Sequence, residues 1–289
     1  MEINGRDIAQ GIYDDLKIRV QKLLGQDITP TLVVFLVGED PGSKAYVLQK
    51  QIRGQDIKAQ VDVLSFPQNT TTDKLLTELG TLYNKTSVHG VIVQRPLPEQ
   101  VNASAINDAI NPEKDVDGFL PDSPFNPPIV LATVRFLEEA YKKKGEGQPD
   151  LISWLKTKKI IVIGKGETAG KPVLDYLNEQ GLSPVVIDSR TENPDDVKRS
   201  ADIIISGVGR PGILTSKNIK KGAILVGIGI HREDDGKLHG DYNDDDVKGV
   251  AAFYTPTPRG VGPVNVAMLL SNLVLAAEQV SEHLHVLPA

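Results

Sequence analysis

Thr31-Leu-Val-Val-Phe-Leu-Val-Gly38 is followed, after Glu39-Asp40, by Pro41-Gly-Ser-Lys-Ala-Tyr-Val-Leu-Gln-Lys50, and this junction decides the fold. The first run is continuously apolar and bounded by turn residues, which predicts a buried strand. The second opens on proline and predicts a helix over 43–58. Ser43, Tyr46 and Lys50 recur at offsets of three and four, so that helix carries a hydroxyl, a phenol and an amine on one face. A strand feeding a helix places the trio at the carboxyl end of a sheet, where open α/β folds bind ligands. Taken alone, a tyrosine and a lysine one turn apart are commonly a packed ring and a solvated amine. The rest of the chain has to distinguish the two.

The alternation extends outward from this junction. Residues 7–25 carry helical apolar spacing (Ile8, Ile12, Leu16, Ile18, Val20, Leu23, Leu24), and a strand at 60–64, a helix at 71–83 and Gly90-Val-Ile-Val93 follow. The stretch 94–128 is rich in Pro, Asp and Asn, with one short helical segment near 103–110; long irregular segments in compact domains are often functional. A helix at 129–143 and a polar break at 141–149 lead into a second series. Its strands are expected at 159–163, 184–188, 202–206 and 223–228, with helices at 170–180 and 194–200. A last helix, 264–284, begins once Thr255-Pro-Thr-Pro-Arg-Gly-Val-Gly-Pro263 is passed. Strands and helices alternating at these intervals predict an α/β chain with parallel sheets.

Composition narrows the chemistry. The 289 residues hold no cysteine, which excludes disulfides, thiolate zinc sites and cysteine nucleophiles, and the five histidines lack metal-ligand spacing, so no metal is expected. A net charge of −6 argues against a nucleic-acid partner, which requires a basic surface. No uncharged apolar run reaches about 18 residues, and the start Met1-Glu-Ile-Asn-Gly-Arg6 does not read as a secretory signal. A cytoplasmic protein without a membrane partner is the expectation.

Gly164-Lys-Gly-Glu-Thr-Ala169-Gly170 follows the strand at 159–163 and fits G-x-G-x-x-A at the opening of a helix. Gly164, Gly166 and Ala169 permit a tight turn and close backbone approach, and the helix N-terminus favours a pyrophosphate. The next strand ends in Asp188, about 20 residues on, where ribose hydroxyls are read. A second glycine-rich turn, Gly207-Val-Gly-Arg-Pro-Gly212, follows the third strand; it either admits a nicotinamide ribose, with Val208 and Gly209 as its contacts, or is only a tight strand-to-loop connection, and this segment alone favours neither. Asp188 argues for NAD, because a carboxylate repels a 2′-phosphate. Lys165, Ser189 and Arg190 argue for NADP, which two cations and a hydroxyl can hold. Residue types leave the choice open.

Gly90-Val-Ile-Val-Gln-Arg-Pro-Leu-Pro98, Pro112-Glu-Lys-Asp-Val-Asp-Gly118 and the 255–263 segment, read with the opening helix, resemble the bifunctional methylenetetrahydrofolate dehydrogenase/methenyltetrahydrofolate cyclohydrolase family. The likeness runs in order along nearly the whole chain, through Gly5-Arg6, the Gly164–Pro172 turn, Ser189-Arg-Thr191 and Gly222-Ala223. The resemblance implies a folate-binding catalytic domain over 1–128, with 263–289 packing back on it, and a Rossmann-like NAD(P) domain over 129–262. It also implies an active site in the cleft between them and a homodimer paired through the nucleotide domain. It places the family's catalytic groups on Lys50, Tyr46, Gln94 and Asp117. Ser43, Leu97, Pro98, Pro258 and Gly262 join Tyr46, Gln94 and Asp117 as contacts to tetrahydrofolate derivatives, and Ile230 joins the cofactor residues. NADP is the implied cofactor, with NAD as the second choice.

The sequence also departs from the family pattern. Lys165-Gly166 stands where Arg-Ser is usual, Asp188 where histidine is common, Asn126–Ala132 where Pro-Cys-Thr-Pro is common, Gly227 for an aspartate, Arg259 for a glycine and Asn265 for a threonine. These changes fall around the cofactor side and the hinge and spare Tyr46, Lys50, Gln94 and Asp117. Two other readings compete: a two-domain dehydrogenase of the shikimate or amino-acid class, and a non-catalytic folate- or nucleotide-binding paralogue.

Overall fold

The structure, a computed structural model, describes residues 1–145, 147–233 and 236–286. In chain order the elements are α1 (Gly5–Leu24), β1 (Thr31–Val37), α2 (Pro41–Asp56), β2 (Gln60–Phe66), α3 (Thr72–Leu82), β3 (Gly90–Val93), α4 (Ala103–Asp108), α5 (Pro128–Lys144) and α6 (Leu151–Lys156). There follow β4 (Ile160–Ile163), α7 (Gly170–Glu179), β5 (Val185–Ile187), α8 (Pro194–Arg199), β6 (Ile203–Ser206), β7 (Ile224–Gly227), β8 (Ile230–Arg232), β9 (Leu238–Gly240), α9 (Asp244–Val247), β10 (Phe253–Tyr254) and α10 (Val261–Val286). Contacts divide the chain into two compact units. One comprises residues 10–128 and 266–289, the other 1–9 and 129–265.

In the unit built on residues 10–128, β1 lies between β2 and β3 in a parallel sheet. All seven residues of β1 are buried, and its register sets Leu32 against Val61 and Gly90. That double burial is why the strand reads as an unbroken apolar run. Val33, Phe35 and Val37 form a core with Leu75, Leu79 and Leu82 of α3. The switch in strand order on either side of β1 opens a crevice at the sheet's carboxyl end, where α2 begins. Asp40 caps α2 by accepting a 2.6 Å bond from Ser43 N, and Pro41 occupies the first turn. The helix therefore starts two residues before the expected 43: proline has no N–H to satisfy there, and Asp40 supplies the cap.

In the other unit, five parallel strands run in the order β10-β7-β6-β4-β5. Here too the order reverses beside the first strand, β4, leaving a crevice between the carboxyl ends of β4 and β6. The antiparallel pair β8-β9, the two-residue β10 and the short α6 were not expected from the sequence. α10 starts at Val261 rather than 264, with Pro263 inside its first turn. The stretch Val261–Glu282 of this helix is, by length and a mean hydropathy of 1.4, apolar enough to cross a membrane; 67% of that window is buried, as in the core helix of a folded protein.

Candidate functional site

Lys50 lies on α2, the helix that begins at the first crevice. It is only 5% exposed, and its Nζ donates to Gln94 Oε1 at 2.8 Å. Gln94 follows β3 and is anchored at both ends. Its backbone N–H donates to Phe35 O, and its Nε2 donates to the Arg95 carbonyl at 2.9 Å. The carboxamide oxygen is thereby turned toward the amine. Ser43 Oγ donates to the same Arg95 carbonyl at 3.3 Å, which ties α2 to the loop after β3. The Arg95–Pro96 peptide is cis, and the Arg95 guanidinium donates to Asn107 Oδ1 of α4 at 2.8 Å.

Burial lowers the pKa of the Lys50 amine, and the charge of Asp117 opposes the shift. Asp117 is raised by its own burial, opposed by Lys50 and Arg95. A base drawn toward its neutral form beside a carboxylate, in a crevice, is the arrangement expected of a proton-handling site. Tyr46 is half-buried one turn before Lys50, and burial raises its phenol. Leu97 and Pro98 continue the loop after Gln94, and Pro98 is buried. The structure thus collects Ser43, Tyr46, Lys50, Gln94, Leu97, Pro98 and Asp117 in one unit. Pro258 and Gly262 belong to the other.

The second crevice is lined by the two glycine-rich turns. Gly164 has φ +91°, and a Cβ on Gly170 would lie 2.1 Å from the Gly164 carbonyl oxygen, so the turn closes only without side chains there. Gly207, after β6, packs on Ala169 and Gly170. No side chain caps the N-terminus of α7; Lys171 N–H donates to Gly166 O and Pro172 has no N–H, which leaves Gly170 as the first-turn N–H that can face an anion. Gly166 has open space where a Cβ would stand. These residues fit a dinucleotide pyrophosphate. Asp188 accepts from Lys165 Nζ at 3.1 Å and from the Arg190 N–H at 3.0 Å, and the Arg190 guanidinium lies 3.6 Å away. The hydrogen bond from the Arg190 N–H, with Lys165 next, holds the Asp188 carboxyl below the usual carboxylate range. Ser189 is exposed beside it. Gly209 is set against the backbone of Ile230, which brings Val208, Gly209 and Ile230 together.

Three of the departures from the family pattern have visible counterparts in this unit. The ring of Tyr242 occupies the space at Gly227, 3.0 Å from where a Cβ would be, and its hydroxyl donates to the Thr255 carbonyl at 2.7 Å. Arg259 reaches Glu2 at 3.9 Å. Asn265 has its carboxamide oxygen buried with no hydrogen bond among the described residues. Sequence reasoning did not single out Asp40, Arg95 or Asp241. An Asp-Pro pair before an apolar-periodic run would have marked Asp40 as a cap; nothing local marks the other two.

Residues 3–117 match the family model described as tetrahydrofolate dehydrogenase/cyclohydrolase, catalytic domain, and residues 151–281 match its NAD(P)-binding domain. The chain belongs to the tetrahydrofolate dehydrogenase/cyclohydrolase family. The bifunctional protein FolD of Anoxybacillus flavithermus is 37% identical over 289 residues, covering 96% of this chain and 97% of that one. The crystal structure of the FolD dehydrogenase/cyclohydrolase of Campylobacter jejuni superposes with a TM-score of 0.89 at 32% identity, covering 96% of this chain and 99% of that one. The Trypanosoma brucei enzyme, solved with NADP and an inhibitor, gives a TM-score of 0.87 at 28% identity over 96% and 97% of the two chains. Membership of the tetrahydrofolate dehydrogenase/cyclohydrolase family over the full length disfavours the shikimate-type reading.

Proposed function

We propose that the chain oxidises 5,10-methylenetetrahydrofolate to 5,10-methenyltetrahydrofolate with NADP as hydride acceptor, and hydrolyses the methenyl product to 10-formyltetrahydrofolate. The observation that carries the reading is the buried Lys50, fixed at 2.8 Å on Gln94 and coupled to Asp117, within a chain of this family. Asp117 accepts hydrogen bonds from the pterin amino and ring N–H groups, and the Tyr46 ring stacks on the folate's aromatic portion. Ser43, Leu97 and Pro98, with Pro258 and Gly262, complete the folate contacts. In the hydrolysis a water oxygen bonds to the methenyl carbon while Lys50, aimed by Gln94, takes its proton. Breaking the bond to N5, which takes that proton back, leaves the formyl group on N10 as the remaining hydroxyl proton passes to solvent.

When bound, NADP accepts the hydride from the methylene carbon. The chain's part is to hold it: Gly164, Gly166 and Ala169 at the pyrophosphate, Lys165, Asp188, Ser189 and Arg190 at the adenosine ribose, and Val208, Gly209 and Ile230 at the nicotinamide end. NAD is the second acceptor, because Asp188 stands at the ribose. The family likeness supports a cytoplasmic homodimer paired through the nucleotide unit; a solution mass of one chain by light scattering would refute the pairing.

The test follows reduced cofactor and methenyl product separately by absorbance, with parent protein and Lys50→Met. The parent should form reduced cofactor without accumulating methenyl product, and the variant should lose hydrolysis by about 100-fold or more. Equal turnover by variant and parent would remove Lys50 from the mechanism. No turnover by the parent with either nucleotide would favour the binding-paralogue reading.

A further inference from the structure

Asp241 is fully buried just after β9, and its carboxylate gathers four hydrogen bonds from a single turn. Oδ2 accepts from Ser206 Oγ at 2.6 Å and from Val208 N at 3.0 Å. Oδ1 accepts from Gly209 N at 2.7 Å and Arg210 N at 2.9 Å. Three successive backbone amides therefore converge on one side chain, at the carboxyl end of β6, beside the β4–β6 crevice. The backbone carbonyl of Asp241 also holds Leu214 N at 3.1 Å, which fixes the far end of the same loop.

We propose that Asp241 is a positioning residue for the dinucleotide, fixing the Val208–Arg210 turn without touching the ligand. The inference rests on the nucleotide reading given above. Because the carboxylate consumes the three amides, the backbone of the turn can offer a ligand only carbonyl acceptors, with the Val208 and Arg210 side chains beside them. Such a backbone suits the hydroxyl and carboxamide donors of a nicotinamide riboside and, unlike a turn with free amides, makes no cradle for a phosphate. The division of labour follows: the 164–170 turn, with its uncapped helix, takes the pyrophosphate, and the 207–210 turn takes the uncharged half. Replacing one carboxylate oxygen by an amide NH₂ sets a donor against donors, which releases part of the turn.

Asp241→Asn is expected to raise the KM for NADP by about tenfold, while hydrolysis of the methenyl substrate, which uses no nucleotide, keeps its parental rate. Tyr242→Phe is the control. It removes the adjacent buried hydroxyl that bonds Thr255, and it should lower the melting temperature with nucleotide KM unchanged. An equal rise in KM in both variants, or an equal loss of both activities in Asp241→Asn, would reduce Asp241 to general structural support and overturn the inference. If Asp241→Asn does not fold, Ser206→Ala removes one donor and should raise nucleotide KM about threefold; a parental KM in that variant would overturn the proposal. A parent without nucleotide-dependent turnover would overturn the underlying reading as well, and the parental arm identifies that case.

Discussion

Asp188 draws two cations to itself, and that decides what the adenosine end of the crevice can hold. With Lys165 and Arg190 both engaged on its carboxylate, the positive charge that would otherwise meet a 2′-phosphate is partly neutralised. A ribose 2′-hydroxyl, by contrast, finds an acceptor in place. Substituting Asp188→Ser removes the repulsion and frees both cations, so the ratio of kcat/KM for NADP to that for NAD should rise about tenfold. Steady-state kinetics with the two nucleotides check this, and an unchanged ratio would mean that Asp188 does not face the ribose. The residue types at 165, 188, 189 and 190 were legible in the sequence. Their pairing was not, because the choice between a carboxylate presented to the ribose and one occupied by its neighbours depends on where two flexible side chains settle. The same limit applies to Lys50. Helical spacing places it on the face with Ser43 and Tyr46, but the loss of solvent that shifts its amine comes from residues far away in the chain.

At the scale of elements, the long strands and amphipathic helices were readable because each repeats one pattern over several turns or pleats. The β8-β9 pair was not: each strand is three residues long, too short for alternation to register. α3 illustrates a further device that no local pattern announces. Lys114, which is buried, donates to the carbonyls of Leu82, the last residue of α3, and of Lys85 in the turn beyond it, both at 2.7 Å, adding a charged donor to carbonyls that also accept from Lys85 N and Val88 N. Close by, His89 accepts from Thr31 N through Nδ1, an arrangement that requires a neutral ring. Burial, with Lys114 adding to it, lowers the His89 pKa from 6.5 to about 4. As pH falls from 6.5 toward 4 the unfolded chain takes up a proton that the folded chain refuses, so stability present above pH 6.5 is progressively lost, by about 2 kcal/mol after allowance for solvent screening. His89→Asn keeps an acceptor and removes the titration. Urea midpoints measured between pH 4 and 7 should then vary less steeply with pH than those of the parent; equal slopes would assign the acid sensitivity to other groups.

Over the whole molecule, the chain's order does not match its compact units, since residues 266–289 group with 10–128 and residues 1–9 with 129–265. The segment bearing Asp117 is therefore held in part by the last helix. Asn272 of α10 is 5% exposed, and its Nδ2 donates to Val116 O at 2.9 Å and Asn126 O at 3.0 Å. These two carbonyls bracket the loop that begins at Asp117, so one carboxamide from the end of the chain staples the loop that the folate reading requires. Asn272→Leu fills the same space and leaves two buried acceptors without a donor, which should cost about 3 kcal/mol of stability. The consequence for binding is selective, because the released loop carries a folate contact and no nucleotide contact. Folate KM should rise while nucleotide KM stays at the parental value. Chemical denaturation together with the two KM values distinguishes the cases: an unchanged denaturation midpoint would show that the staple contributes nothing, and an equal rise in both KM values would show that the loss spreads beyond the 116–126 loop.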